Sequence, residues 1–399
     1  MKAKRLYSLD VLRGVAALAI IFWHWQHFFG IRGTWQAGWS RLQEPGYAVF
    51  KPLFEQGWVA VDIFFAVSGF VFFWLYLEPL RRREIGAGKF ALQRFSRLYP
   101  LYFATLLLAA ALQLAFYHAT GNWFIFDAND WSHFVKSILL VQQWLPPDEA
   151  QSFDGPVWAV SIEVLLYIIF FVGVRFGLRG PFACVGVALL GAVYFFYDGQ
   201  IGRGIMGFFW GGATYYAVAA ISPLANAKSV ARGVALAALA VWAIAIADAY
   251  AGFHNILISM LPFQAARFTI GYEYPIFLMA FILIVVPLTL AALALHEELF
   301  GGAWARFTLL GDISYSTYLI HFLMQLALAL LALHFGWTPA DFMHGWAMVA
   351  FYAVLIGLGW ASYTWFERPA QAVIRSRAGS SSNILVPGKS GTRNSGLPG

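Results

Sequence analysis

Apolar runs of about twenty residues recur along the whole chain, at roughly 8–28, 57–77, 97–117, 157–176, 181–197, 202–221, 229–250, 274–294, 307–333 and 343–366. Each is long enough to cross a hydrocarbon core of about 30 Å as a helix. The pattern predicts an all-α fold, a polytopic transmembrane helical bundle of about ten spans. The longest polar stretches, 30–56 and 118–156, are too short for a separate soluble catalytic domain. No internal repeat stands out, which weighs against an inverted-repeat transporter. Residues 1–377 read as the membrane domain. Residues 378–399 are rich in Ser, Gly, Asn and Pro without helical periodicity, and read as a disordered cytoplasmic tail. Met1, Lys2, Ala3, Lys4 and Arg5 ahead of the first run resemble a signal peptide. Asp10 and Arg13 inside it, and Trp23, Trp25, Phe28 and Phe29 where a cleavage site would need small residues, predict a retained helix instead.

Composition fits a membrane protein, with 60% hydrophobic and 12% charged residues, against about a quarter charged in soluble domains. With the N-terminus inside and ten spans, one side collects Lys2, Lys4, Arg5, Arg81, Arg82, Arg83, Lys89, Arg94, Arg97, Arg175, Arg179, Lys228, Arg232, Arg306, Arg368, Arg375 and Arg377. The other collects Arg32, Arg41, Lys51, Lys136, Arg203 and Arg267. A bias of roughly three to one places both termini in the cytoplasm. The net charge of +6 then reflects topology and gives no soluble basic face for nucleic acid. Cys184 is the one cysteine, so no internal disulfide or thiolate metal cluster forms.

Polar residues inside the spans are expensive and tend to mark a ligand or proton path. In the first span Arg13 and His24 are eleven residues apart, about three helical turns and roughly 16 Å of rise, on nearly one face. This suits a long anionic cofactor with its phosphates at Arg13 and its reactive end at His24. Alternatively Arg13 pairs with Asp10 and only orients the helix. Asp62, Ser68 and Gly69 open the second span, and Asp62 needs a partner, for which His24 is a candidate. Arg94 and Arg97 lie one turn apart before the third span, a spacing that can clamp phosphates or anchor the helix to anionic lipid. Trp158, Ser161, Glu163 and Tyr167 share the start of the fourth span, and Glu163 is hard to explain as surface solvation. Ser314, Tyr315, Tyr318 and His321 begin the ninth span, either lining a water-accessible tunnel or back-bonding to helix carbonyls. Glu367 ends the tenth, where an arginine from the third-span entrance could meet it.

The second long polar stretch mixes Trp123, Trp131 and Trp144 with Asp127, Asp130, Asp148 and Asp154, along with His133, Pro146 and Pro147. Rings and carboxylates together suit carbohydrate, and the tryptophans alone suit a headgroup belt. No Walker-type phosphate loop, HExxH helix or Gly-x-Ser-x-Gly elbow occurs. Only His24 and His27 are spaced closely enough to share a metal, and none is expected.

In this order the motifs resemble the acyltransferase-3 family of integral-membrane O-acyltransferases, the glycan and exopolysaccharide type. The matching residues are Leu9, Asp10, Leu12, Arg13 and Gly14 with His24; Val61, Asp62, Ile63, Phe64, Phe65, Ser68, Gly69 and Phe70; Arg94, Arg97 and Pro100; Trp158, Ser161 and Glu163; Ile313, Ser314, Tyr315, Tyr318, Leu319 and His321; and Glu367, Arg368 and Pro369. The resemblance implies a ten-helix enzyme of a bacterial inner (plasma) membrane, moving acyl groups, often acetyl from acetyl-CoA, onto hydroxyls. Its acceptors are extracytoplasmic glycans, lipid-linked saccharides or peptidoglycan, and sometimes small molecules such as macrolides. It implies acyl-CoA binding by Arg13, Arg94 and Arg97, and catalysis by His24 and Glu163. We add Asp62 or Glu163 to orient the His24 ring, with Ser314 or Tyr315 as an oxyanion donor and Tyr318, Trp158 and Ser161 close to the substrate. The expected partners are acyl-CoA, the saccharide acceptor and membrane lipid, with no metal and no nucleic acid. The rival is a proton-coupled transporter, since intramembrane Arg, His, Asp and Glu also build proton relays.

Overall fold

The computed structural model describes residues 5–31, 34–35, 37–144, 151–253 and 275–377. Pro146, Pro147, Asp148, Arg267 and the expected tail 378–399 lie outside the described residues. The chain is almost wholly helical: α1 Tyr7–His24, α2 Tyr47–Gln56, α3 Ala60–Arg81, α4 Ala87–Thr120, α5 Trp131–Ile138, α6 Trp158–Arg175, α7 Pro181–Tyr194, α8 Gly199–Ile221 and α9 Ala227–Ala251. There follow α10 Pro275–Ala280, a π turn Phe281–Val285, α11 Val286–Phe300, α12 Thr308–Asp312, α13 Ser314–Phe335 and α14 Gly345–Ser362. A second π turn, Tyr363–Glu367, leads into α15 Arg368–Arg377. A two-residue ribbon, β1 Gly30–Ile31 and β2 Thr34–Trp35, is the only sheet among the described residues.

Nine helices among the described residues are long and apolar enough to cross a membrane, and the protein is an integral membrane protein. The expected span at 181–197 is shorter than the pattern suggested. Its helix, α7, has 14 residues, or about 21 Å of rise against a core of about 30 Å. At the other extreme α4 runs 34 residues, about 51 Å, with Arg94 and Arg97 about two and three turns in from its start.

Glycines let the helices that carry polar groups approach one another. A methyl on Gly69 of α3 would overlap the Phe208 carbonyl of α8, and one on Gly211 of α8 would overlap the Ala66 carbonyl of α3. Such small-residue faces drive helix pairs together where lipid supplies no hydrophobic force. Gly14 of α1 meets the Leu310 backbone of α12, while Gly311 of α12 meets the Asp10 backbone of α1. This reciprocal contact draws Arg13 to the start of α13.

Candidate active site

His24 closes α1, and the chain then tightens into a 3-10 turn, Trp25–Phe29. Its Nδ1 lies 2.8 Å from Nε2 of His321, two turns into α13, and the ring planes are nearly parallel at 9°. His321 Nδ1 lies 2.5 Å from the Tyr318 carbonyl oxygen. A carbonyl only accepts, so in neutral His321 the proton sits on Nδ1 and Nε2 is an acceptor. His24 Nδ1 then donates to it, leaving His24 Nε2 as a bare lone pair. Gln325, one turn beyond His321, braces the group: its Nε2 donates to the His24 carbonyl at 2.8 Å, and its Oε1 accepts from His27 Nδ1 at 3.0 Å. His27, His321 and Gln325 are buried, whereas His24 is half-buried. His24 therefore presents the accessible edge of the cluster.

Below this cluster, toward the start of α1, a cavity of about 80 Å³ lies among α1, α3, α4, α6 and α13. Seven expected site residues line it: Arg13, Arg94, Arg97, Glu163, Ser314, Tyr315 and Tyr318. Arg5 occupies Asp10 at 2.6 Å and Asp312 at 2.5 Å, which leaves Arg13 only a 3.5 Å contact with Asp10. Arg13 instead donates to Ser314 Oγ at 3.0 Å, and Ser314 donates to the Gly311 carbonyl at 2.8 Å. Arg94 reaches the Tyr76 hydroxyl and packs over the rings of Phe72, Tyr76 and Tyr167, yet its Nε is buried with no hydrogen-bond partner. Three guanidinium groups around one carboxylate, with a buried N–H unmatched, fit an anionic ligand.

Glu163 does not orient His24. Its Oε1 accepts from Ser68 at 2.7 Å and from Tyr167, which sets the carboxylate in the arginine cavity. Nor does Asp62 reach His24. Arg203 of α8 takes both its oxygens, at 2.9 and 2.5 Å, in a pair almost fully buried. The Arg203 guanidinium is sandwiched by Trp58 and Trp158, at 4.9 and 5.5 Å, which gives Trp158 a structural neighbour. Ser161 donates to the Leu140 carbonyl at 2.9 Å and fastens the preceding loop. Tyr315 donates to the Leu98 carbonyl at 2.8 Å and Tyr318 to that of Pro156. In this structure the hydroxyls of Ser314, Tyr315 and Tyr318 are thus engaged with backbone carbonyls. Glu367 accepts from Ser316 and makes no ion pair with an arginine among the described residues.

In the outer loops Asp130 caps α5 by accepting from the His133 amide at 3.0 Å. Asp154 is buried just before α6, and both its oxygens lack a partner, so desolvation pushes its carboxyl well above the usual range. Two of these partners carry no signal in local spacing: nothing near His321 in sequence points to His24, and Arg203, expected on the outer side, sits inside α8.

The family described as acyltransferase domain matches residues 6–364. The chain belongs to the acyltransferase-3 family. Among curated relatives of this acyltransferase-3 protein, "Acyltransferase MdmB" of Streptomyces mycarofaciens is 32% identical over 169 residues, 42% of this chain and 38% of that protein. "Protein 2 in picA locus" of Rhizobium radiobacter is 38% identical over 114 residues, 29% of this chain and 49% of that protein. The matches thus span less than half the length of either relative. No solved structure matches. Every expected site residue falls within the family match, whereas α15 begins at Arg368, beyond it.

Proposed function

We propose that this protein is an integral-membrane O-acyltransferase, carrying an acyl group, acetyl in the first instance, from acyl-CoA to a hydroxyl of an extracytoplasmic glycan or lipid-linked saccharide. In this reading it lies in a bacterial inner membrane with both termini cytoplasmic. The observation that carries it is the His24–His321 pair, which fixes the His24 tautomer with Nε2 unprotonated. A lone pair so placed suits a general base, and family membership supports acyl transfer over proton-coupled transport.

The donor supplies an acyl carbon activated as a thioester. Arg13, Arg94 and Arg97 hold its phosphates at the inner face. His24 Nε2 takes the acceptor hydroxyl's proton as oxygen attacks the thioester carbonyl. The C–S bond breaks, and the thiolate recovers that proton from the imidazolium. While His24 is charged, its Nδ1–H stays bonded to the His321 lone pair, which stabilises the cation.

The test mixes purified protein with acetyl-CoA and a crude glycan fraction and follows free thiol. We expect glycan-dependent CoA release, and His24→Ala slower by about 10²–10⁴-fold, the usual worth of a general base. Wild-type protein that releases no CoA, or a His24→Ala variant as fast as wild type, overturns the reading.

A further inference from the structure

The helix beyond the family match, α15, packs on the helix that brings Arg94 and Arg97 to the cavity. α15 packs along the start of α4, where Arg375 Nε donates to Ser96 Oγ at 3.0 Å. Ser96 is fully buried between Arg94 and Arg97 in sequence, and gives its own proton to the Gln93 carbonyl at 3.2 Å. It is therefore a pure acceptor toward Arg375 and holds that guanidinium by one nitrogen. The two Nη groups of Arg375 make no hydrogen bond or ion pair among the described residues.

Arg94 and Arg97 both lie close enough to repel Arg375. The carboxylates that act on Arg97 from a distance include Glu163 and Asp10. Asp10 is already paired with Arg5, whereas Glu163, held by the neutral hydroxyls of Ser68 and Tyr167, is the carboxylate that lines the arginine cavity. Arg13, Arg94, Arg97 and Arg375 still outnumber the nearby carboxylates Glu163 and Glu367, an excess of positive charge that an anion offsets.

We propose that Arg375 is a further arginine of the donor site, closing it from the cytoplasmic side on a phosphate of the nucleotide end. This rests on the acyl-CoA reading above. The ligand chemistry is a phosphate monoester or diester, which a CoA nucleotide and an anionic lipid headgroup both offer.

The experiment measures KM for acetyl-CoA and for acetyl-pantetheine, which has no phosphate, in neutral detergent and again in vesicles with anionic lipid. Arg375→Gln should raise KM for acetyl-CoA about tenfold, the usual worth of one charge-assisted contact. It should leave kcat, and KM for acetyl-pantetheine, unchanged in both media. Arg375→Lys should recover most of the loss, and Arg377→Gln, at an exposed neighbour, should behave as wild type. A change equal for the two donors, or one seen only with anionic lipid, overturns the proposal and assigns Arg375 to structure or to lipid phosphate. A wild-type protein that uses acetyl-pantetheine as well as acetyl-CoA would overturn the phosphate site as a whole. No CoA release at all would overturn the enzymatic reading beneath it.

Discussion

Replacing His321 by alanine removes the lone pair that accepts from His24 Nδ1. His24 is then free to rotate and to carry its proton on either nitrogen, so the bare Nε2 is present only part of the time. The imidazolium also loses its acceptor. We expect kcat to fall about ten- to a hundredfold, less than for His24→Ala, because the base survives without its orienting partner. KM for the donor should not move, since the arginines are untouched. The check is a kcat and KM pair with thermal stability in detergent. A change in KM alone, or a loss of stability matching the loss of activity, would show that His321 only packs helices. His24 was legible in the sequence because Arg13 and His24 share one helix and one face. His321 was not assigned a role because its partner lies 297 residues away, and no local period records such a distance.

At the level of elements, a close glycine-mediated helix contact is also the one that corrects the expectation for Asp62. Gly69 and Gly211 bring α3 and α8 into backbone contact, and the Asp62–Arg203 pair crosses that seam. Both partners are desolvated, so losing one strands the other. Asp62→Ala should cost about 3–5 kcal/mol, whereas replacing both residues by apolar ones of similar volume should recover much of it. Thermal unfolding in detergent distinguishes the two outcomes, with activity expected to follow stability in each variant. An inactive but fully stable Asp62→Ala would return Asp62 to the chemistry. The spans themselves were readable from the sequence, since an uninterrupted apolar run admits little besides a helix in lipid. The length of α7 was not: the chain turns through apolar Phe195, Phe196 and Tyr197, and the stop is set by Asp198, which caps α8 by accepting from the Gln200 and Ile201 amides.

On the scale of the whole molecule, the site is divided along the length of α1. α1 is unbroken from Tyr7 to His24, so Arg13 and His24 stand roughly 16 Å apart along its axis. Arg94 and Arg97 join Arg13 at one end, and the histidine pair waits at the other. That arrangement forces a direction on the two substrates. On the acyl-CoA reading proposed above, a polyanionic donor is attracted to the arginine end and cannot pass through the lipid, so it arrives from the side on which α1 begins. In the proposed topology that side is the cytoplasm. In sealed vesicles, acetyl-CoA added outside should be consumed when the cytoplasmic face points outward and ignored when it points inward. Arg97→Ala should raise KM for acetyl-CoA about tenfold or more in the responsive orientation, and leave the other silent. The acceptor hydroxyl should be reached from the opposite face, so glycan trapped inside the responsive vesicles should be acylated by donor outside. Equal consumption in both orientations, with vesicles shown to be sealed, would mean that donor and acceptor share one entrance and that the line from Arg13 to His24 is not the path of the acyl group.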